Sequence, residues 1–254
     1  MLWIATWDGL NMYDGSNFHV FNYSKEKDSK SIGSNVIQNI TEDKSGNIWI
    51  TTIEGISKYA KSSGKFTNYF YDLHHTGKVS EQEYAIAVDT AGTVFCLSQK
   101  KGLSYYDPKT DRFNATNLPL QKSRITKLTF DANNYLWILN ANGQLDKFRG
   151  KKDKLDLLYT FGKEEFINDI FLVNAQLFFT TKDNKLFSAY EKSGAPRELL
   201  YMPNPLSHII FYKERYFLAW ACKGYGIYES DFTPSRFLQT ESKQIQDLKI
   251  TSWE

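Results

Sequence analysis

Between Asn35 and Phe70 the hydrophobic pattern changes several times without adopting a helical period. "NVIQNITED" (residues 35–43) alternates apolar and polar positions, as a strand with one buried face does. "KSGN" interrupts it, "IWITT" is a short apolar run, "IEG" interrupts again, "ISKYA" follows, and "KSSGK" leads into "FTNYF". Short strands separated by turn signals about 8–12 residues apart predict an up-and-down antiparallel sheet of four strands.

The pattern recurs along the chain. Copies begin "LWIATWDGLNMYDG" at Leu2, "IWITTIEGISKY" at Ile48, "VFCLSQKKGLSYYD" at Val94, "LWILNANGQLDKF" at Leu136, "LFFTTKDNKLFSAY" at Leu177 and "YFLAWACKGYGIYES" at Tyr216. Trp3, Trp49, Phe95, Trp137, Phe178 and Phe217 therefore share one position, at spacings of 46, 46, 42, 41 and 39 residues. Alternation with period two, and Gly or Asn in every unit, exclude helical repeats of similar length. A four-stranded repeat of about 40 residues predicts an all-β chain, a β-propeller of six antiparallel blades, with a solenoid as the other architecture. The repeats cover about 2–21, 36–70, 84–113, 125–148, 167–190 and 207–228, and the shared aromatics are expected to pack between blades.

A propeller leaves exposed sheet edges unless its first and last blades meet. "QIQDLKI" (residues 244–250) matches "VIQNITE" (residues 36–42), whose Ile37 precedes Trp49 by 12 positions. Ile245 in that role calls for an aromatic at 257, which wraps onto Trp3 in a chain of 254 residues. Residues 245–254 are thus expected to complete the first blade and close the ring.

Three turns share a leading acid: "DKSGN" at Asp43, "DTAGT" at Asp89 and "DANNY" at Asp131. A carboxylate there can accept from backbone amides two residues on, while Gly or Asn takes a positive φ. These acids are expected to build turns rather than perform chemistry.

Composition narrows the picture further. Aromatic residues make up 16% of the chain, consistent with strands. A net charge of +2 gives no basic face for nucleic acid; the densest patch, Arg149, Lys151, Lys152 and Lys154, reads as a solvated loop, with a weak anion or nucleic-acid site as the alternative. Cys96 and Cys222 lie in apolar runs and read as reduced structural thiols. No apolar stretch reaches the roughly 18 residues of a membrane helix, and no leader is recognisable. The adjacent His74 and His75 would face opposite ways in a strand, so no metal site and no cofactor are expected. No nucleophile, phosphate loop or His-plus-acid grouping marks an enzyme. The sequons at Asn22, Asn39 and Asn114 occur at chance level, and Asn39 falls within a predicted strand.

The repeats also resemble a known family. Ile37, Ile40, Glu42, Asp43, Gly46, Ile48, Trp49, Ile50, Thr52, Gly55, Ile56 and Tyr59 carry a pattern similar to the two-component regulator propeller repeat, and "TWDGLNMYDG" resembles the opening repeat of such sensors. The resemblance is strong in the first two copies and weak in the last two. It implies a periplasmic input domain of a hybrid sensor kinase, responding to oligosaccharides and accompanied by further propeller or β-sandwich domains, with dimerisation as one arrangement. This chain shows fewer repeats than those sensors and no kinase, so a part of a longer sensor is expected.

Propellers bind ligands on the face that carries the turns between second and third strands and the connections between blades. Sugars are held by aromatic faces and a few polar side chains. The candidates are Trp7, Asp8, Glu54, Tyr71, Lys100, Asn142 and Tyr225. Trp7 and Asp8 could instead pack as a turn between blades, and Gly224 and Gly226 beside Tyr225 could mark a bulge. A ligand-sensing or docking module is expected, with a propeller-type lyase or glycan hydrolase, or a protein-interaction scaffold, as alternatives.

Overall fold

Every regular element in the computed structural model is a β-strand, across the described residues 1–25, 31–70, 84–118, 124–162, 165–189, 196–221 and 224–238. They form six antiparallel sheets, each following the last in sequence order. The first holds β1 (Leu2–Thr6), β2 (Gly9–Tyr13) and β3 (Phe18–Phe21), and the second β4 (Ile37–Glu42), β5 (Ile48–Thr52), β6 (Ile56–Ala60) and β7 (Lys65–Tyr69). The third holds β8 (Tyr84–Val88), β9 (Val94–Ser98), β10 (Gly102–Asp107) and β11 (Arg112–Ala115). In the fourth are β12 (Ile125–Phe130), β13 (Leu136–Asn140), β14 (Leu145–Lys151) and β15 (Lys154–Phe161). The fifth comprises β16 (Ile167–Val173), β17 (Gln176–Thr181), β18 (Lys185–Ser188) and β19 (Arg197–Tyr201), and the sixth β20 (Leu206–Tyr212), β21 (Arg215–Trp220), β22 (Gly224–Glu229) and β23 (Pro234–Leu238). The strand predicted to complete the three-stranded first sheet lies outside the described residues, as do His74, His75 and Cys222.

The chain divides into two compact units, Met1–Ala141 with Asp146–Tyr159, and Asn142–Leu145 with Thr160–Glu254. Within each, the core lies between successive sheets. In the first unit Leu10 of β2 packs with Ile48 and Ile50 of β5. Trp49 and Ile56 pack with Tyr84 and Cys96, and Phe95 and Leu103 with Phe130, Ile138 and Leu155. In the second unit Phe178 and Leu186 pack with Ile209, Tyr216 and Leu218. Strands β5, β9 and β13 are buried along their whole length, so both faces are covered and their sequences read as continuous apolar runs.

The shared aromatic position is buried in four of its six copies, and Phe217 of the sixth is half-buried. Trp49, Trp137, Phe95 and Phe178 are almost fully buried, and Trp3 is half-buried against Phe21 and Tyr59. The three turn acids are buried too, and each Oδ1 accepts two turn amides: Ser45 and Asn47 for Asp43, Ala91 and Thr93 for Asp89, Asn133 and Tyr135 for Asp131.

Two readings need correction. Arg149 and Lys151 belong to β14 and Lys154 to β15, so the basic patch is a strand hairpin rather than a loop. Tyr225 lies inside β22 opposite Ala219, not in the preceding turn. No bulge interrupts β22 against β21; Gly226 is small because a Cβ there would stand 2.7 Å from Cη2 of the buried Trp220. The register of β22 against β23 does slip beside Gly226, at Ile227/Tyr228, and that of β18 against β19 at Leu186/Phe187; it also slips early in β4, β12, β16 and β20, at Ile37/Asn39, Ile125/Lys127, Ile167/Asp169 and Leu206/His208. At these four early slips the paired strands carry no Gly or Pro, so the pattern of apolar residues conceals them.

Candidate functional site

In an up-and-down sheet the turn after the second strand and the connection into the next sheet lie at the same end. In the first unit these turns are built on one device, a hydroxyl residue ending β1, β5 or β9. Thr6 Oγ1 donates to the Gly9 carbonyl at 2.7 Å and accepts from the Asp8 amide at 3.2 Å. Thr52 repeats this with the Gly55 carbonyl at 3.0 Å and the Glu54 amide at 3.2 Å, and Ser98 Oγ accepts from the Lys100 and Lys101 amides, both at 3.3 Å. Such side-chain-to-backbone bonds replace ladder bonds where the chain reverses.

Each turn is also tied to a neighbouring connection. The Gly9 amide donates to the Asn35 carbonyl at 3.0 Å, the Ile53 amide to the Val36 carbonyl at 3.3 Å, and Gln99 Nε2 to the Ile125 carbonyl at 3.1 Å. The connection itself is pinned: Asn35 Oδ1 accepts the Tyr23 amide at 2.6 Å, Ile32 is fully buried, and the Gly33 amide donates to Ser57 Oγ at 3.0 Å.

Trp7 stands on the first of these anchored turns with 73% of its surface exposed. It therefore does not pack between sheets. Asp8 is exposed beside it, Glu54 is half-buried and Lys100 exposed on the equivalent turns. In the second unit Asn142 is exposed and its Oδ1 accepts the Gln144 amide at 3.2 Å, while Tyr225 is half-buried in its strand. Tyr71 lies outside the described residues. Trp7, Asp8, Glu54 and Lys100 thus share the turn-bearing end of the first three sheets.

Residues 31–54 match the two component regulator propeller family model. The match takes in the buried connection at Ile32, β4, the Asp43 turn, β5 and the Glu54 turn. No curated protein sequence matches the propeller. Solved structures do. The B. thetaiotaomicron protein BT3049, described as the extracellular domain of a hybrid two component system, matches 96% of this chain with a TM-score of 0.67 at 18% identity, the match covering 34% of that structure. The extracellular domain of BT4673 from the same organism matches 94% of this chain at TM-score 0.68 and 18% identity, over 35% of its own length. Virginiamycin B lyase from Staphylococcus aureus matches 96% of this chain and 82% of its own at TM-score 0.66 and 15% identity. The shared fold is the β-propeller. The chain spans about a third of the length of the two B. thetaiotaomicron extracellular domains.

One polar cluster of the propeller escaped the sequence reading. Asp111, at φ 53° in the turn between β10 and β11, accepts on one oxygen from Lys58 Nζ at 2.6 Å, Tyr69 Oη at 2.6 Å and Tyr106 Oη at 2.5 Å. Burial works against its charge, but Lys58 and the two phenols outweigh that and hold its pKa at about 2. Burial, aided by Asp111, pushes the Tyr69 phenol far above its usual range. The Lys58 ammonium also lies 4.8 Å from the Tyr106 ring centre and 5.8 Å from that of Trp49. The cluster joins β6 and β7 to the neighbouring sheet. Its only sequence trace is a lysine in the strand "ISKYA", a residue that ordinarily faces solvent and here is covered.

Among the described residues no group of three His, Cys, Asp or Glu side chains could hold a metal ion, and no helix is long and apolar enough to cross a membrane.

Proposed function

We propose that this chain is a ligand-recognition propeller from the extracytoplasmic input region of a two-component sensor, non-catalytic in itself, and that its ligand is an oligosaccharide. The observation that carries the reading is Trp7, an indole 73% exposed on a turn that hydrogen bonds hold on both sides. An exposed aromatic face on a rigid support stacks against the C–H face of a sugar at little entropic cost. Asp8 and Glu54 supply hydroxyl acceptors and Lys100 a donor at the same end of the sheets. The repeat at residues 31–54 and the fold shared with the extracellular domain of a hybrid two component system support the sensor context. In the full sensor, further propeller or β-sandwich domains would receive the signal, in a dimer if the sensor pairs.

The test is a panel of defined oligosaccharides scored by calorimetry and by thermal shift. One member should bind and raise the melting temperature, and remain chemically intact on chromatography afterwards. Trp7→Ala should abolish that binding with the melting temperature of the free protein unchanged. Equal binding by Trp7→Ala would overturn the site, and a cleaved ligand would overturn the sensor reading in favour of a lyase or hydrolase.

A further inference from the structure

Turn and strand are mismatched in the third sheet. In the second and fourth sheets the turn acid uses Oδ1 for amides and gives Oδ2 to an indole six residues on: Trp49 Nε1 at 2.7 Å from Asp43, and Trp137 Nε1 at 2.6 Å from Asp131. The fifth and sixth sheets have neither partner. Their hairpins turn through Asn174–Ala175 and Lys213–Glu214, all at positive φ, and the aromatic is Phe178 or Phe217. The third sheet keeps the acid and lacks the indole, because Phe95 stands where the tryptophans stand.

The consequence is a carboxylate oxygen that no donor among the described residues reaches and that opens onto a cavity. Asp89 is only 8% exposed, and its Oδ1 accepts from Ala91 at 2.9 Å and Thr93 at 2.7 Å. Among the described residues no hydrogen bond reaches its Oδ2. A cavity of about 210 Å³ opens at this place, bounded by Asp89, Phe95, Phe130 and Leu155, with Lys151 and Lys152 of the β14–β15 hairpin along it. The Phe95 and Phe130 rings, 4.9 Å apart between centres, give it an apolar wall. Asn134, also on its lining, is fixed by the Thr90 amide donating to its Oδ1 at 2.8 Å. The site thus combines an apolar surface, one unsatisfied anionic acceptor and exposed ammonium groups.

We propose that this cavity binds a small planar ring bearing an N–H donor, an indole-type ligand, whose N–H takes the Asp89 oxygen that a tryptophan occupies in the sheets on either side. A donor brought in with its own apolar surround displaces the water that reaches this oxygen and makes its hydrogen bond in a drier setting, where it is stronger. Lys151 and Lys152 favour an acidic substituent on the ring's outer side. The site lies at the opposite end of β9 from the turn that carries Lys100, so it stands independently of the oligosaccharide reading.

The test titrates the whole chain with indole and with N-methylindole, which keeps the ring and lacks the donor, followed by ligand-observed NMR and calorimetry. Indole should bind saturably and N-methylindole about tenfold more weakly, the discrimination expected of one buried hydrogen bond. Phe95→Trp should fill the cavity, supply Asp89 with its donor and abolish binding. Asp89→Asn keeps a turn acceptor but replaces the free oxygen with a donor, and should equalise the two ligands. If Phe95→Trp does not fold, Asp89→Asn and the ligand pair still decide. Absence of saturable indole binding, equal binding of the two ligands by the unmodified protein, or undiminished binding by folded Phe95→Trp would each overturn the proposal.

Discussion

Trp137 donates its indole N–H to Asp131 Oδ2 at 2.6 Å, with the tryptophan fully buried and the acid 1% exposed. The same acid holds the Asn133 and Tyr135 amides, so one carboxylate closes the turn and orients the ring that fills the space beside its sheet. Hairpin geometry and core packing are therefore coupled through a single side chain. Trp49 and Asp43 repeat the arrangement at 2.7 Å.

The coupling separates two otherwise similar substitutions. Trp137→Phe leaves Asp131 Oδ2 buried without a donor, which costs about 1–3 kcal/mol beyond the loss of ring contacts. Trp3 occupies the equivalent place in the first sheet, but its buried Nε1 has no acceptor among the described residues. Trp3→Phe removes that orphan and should cost clearly less. Urea denaturation of the two variants measures the difference, and equal losses would refute the coupling.

The Asp111 cluster predicts an acid-sensitive contribution. Its pKa is lowered to about 2 in the folded protein, against about 3.9 for an unperturbed aspartate. The unfolded chain therefore takes up the proton first as pH falls, and the stabilisation present above about pH 4 is lost as the pH drops towards 2. Asp111 is half-exposed, so the effect is modest and screened by salt. Melting temperatures of the unmodified protein and of Asp111→Asn should converge over that interval and lie apart at neutral pH.

Period-two alternation and the recurring aromatic made the fold legible, because burial on one sheet face or both leaves a direct trace in residue type. The Asp-led turns were legible for a similar reason: few side chains can accept two amides at a reversal. Trp7 was visible only as a candidate, since exposure depends on what the turn packs against, and that is a tertiary fact. Tyr225 was misplaced because glycine signals both turns and close approaches; Gly226 serves the second by admitting Trp220. The Asp111 cluster was invisible, as its members lie up to 53 residues apart and meet only when adjacent sheets pack.

Cys96 provides a probe of opening at the packing between the second and third sheets. It is fully buried beside Trp49, Ile56 and Tyr84, and burial pushes its thiol well above the ordinary range. In a Cys222→Ser background it should react with a disulfide reagent only as fast as the surrounding structure opens. The rate should rise with denaturant in step with unfolding. Rapid labelling under native conditions would contradict the buried placement.

Gly9 tests whether the exposed indole depends on its turn. Its φ of 114° is one that side-chain-bearing residues rarely adopt, and a Cβ there would lie 2.7 Å from the Phe21 carbonyl oxygen. Backbone atoms cannot yield as a side chain can, so Gly9→Ala should cost about 1–3 kcal/mol of stability. The strain must be relieved by moving the turn, which breaks the bond from the Gly9 amide to the Asn35 carbonyl and releases Trp7 from its fixed orientation. Gly15→Ala is the control: its φ of 109° carries comparable backbone strain, but no atom lies within 4 Å and the turn is remote from Trp7 in the strand hairpin. Both variants should lower the melting temperature, and only Gly9→Ala should weaken ligand binding. Loss of binding in both variants would mean that stability, rather than the geometry of this turn, controls the site.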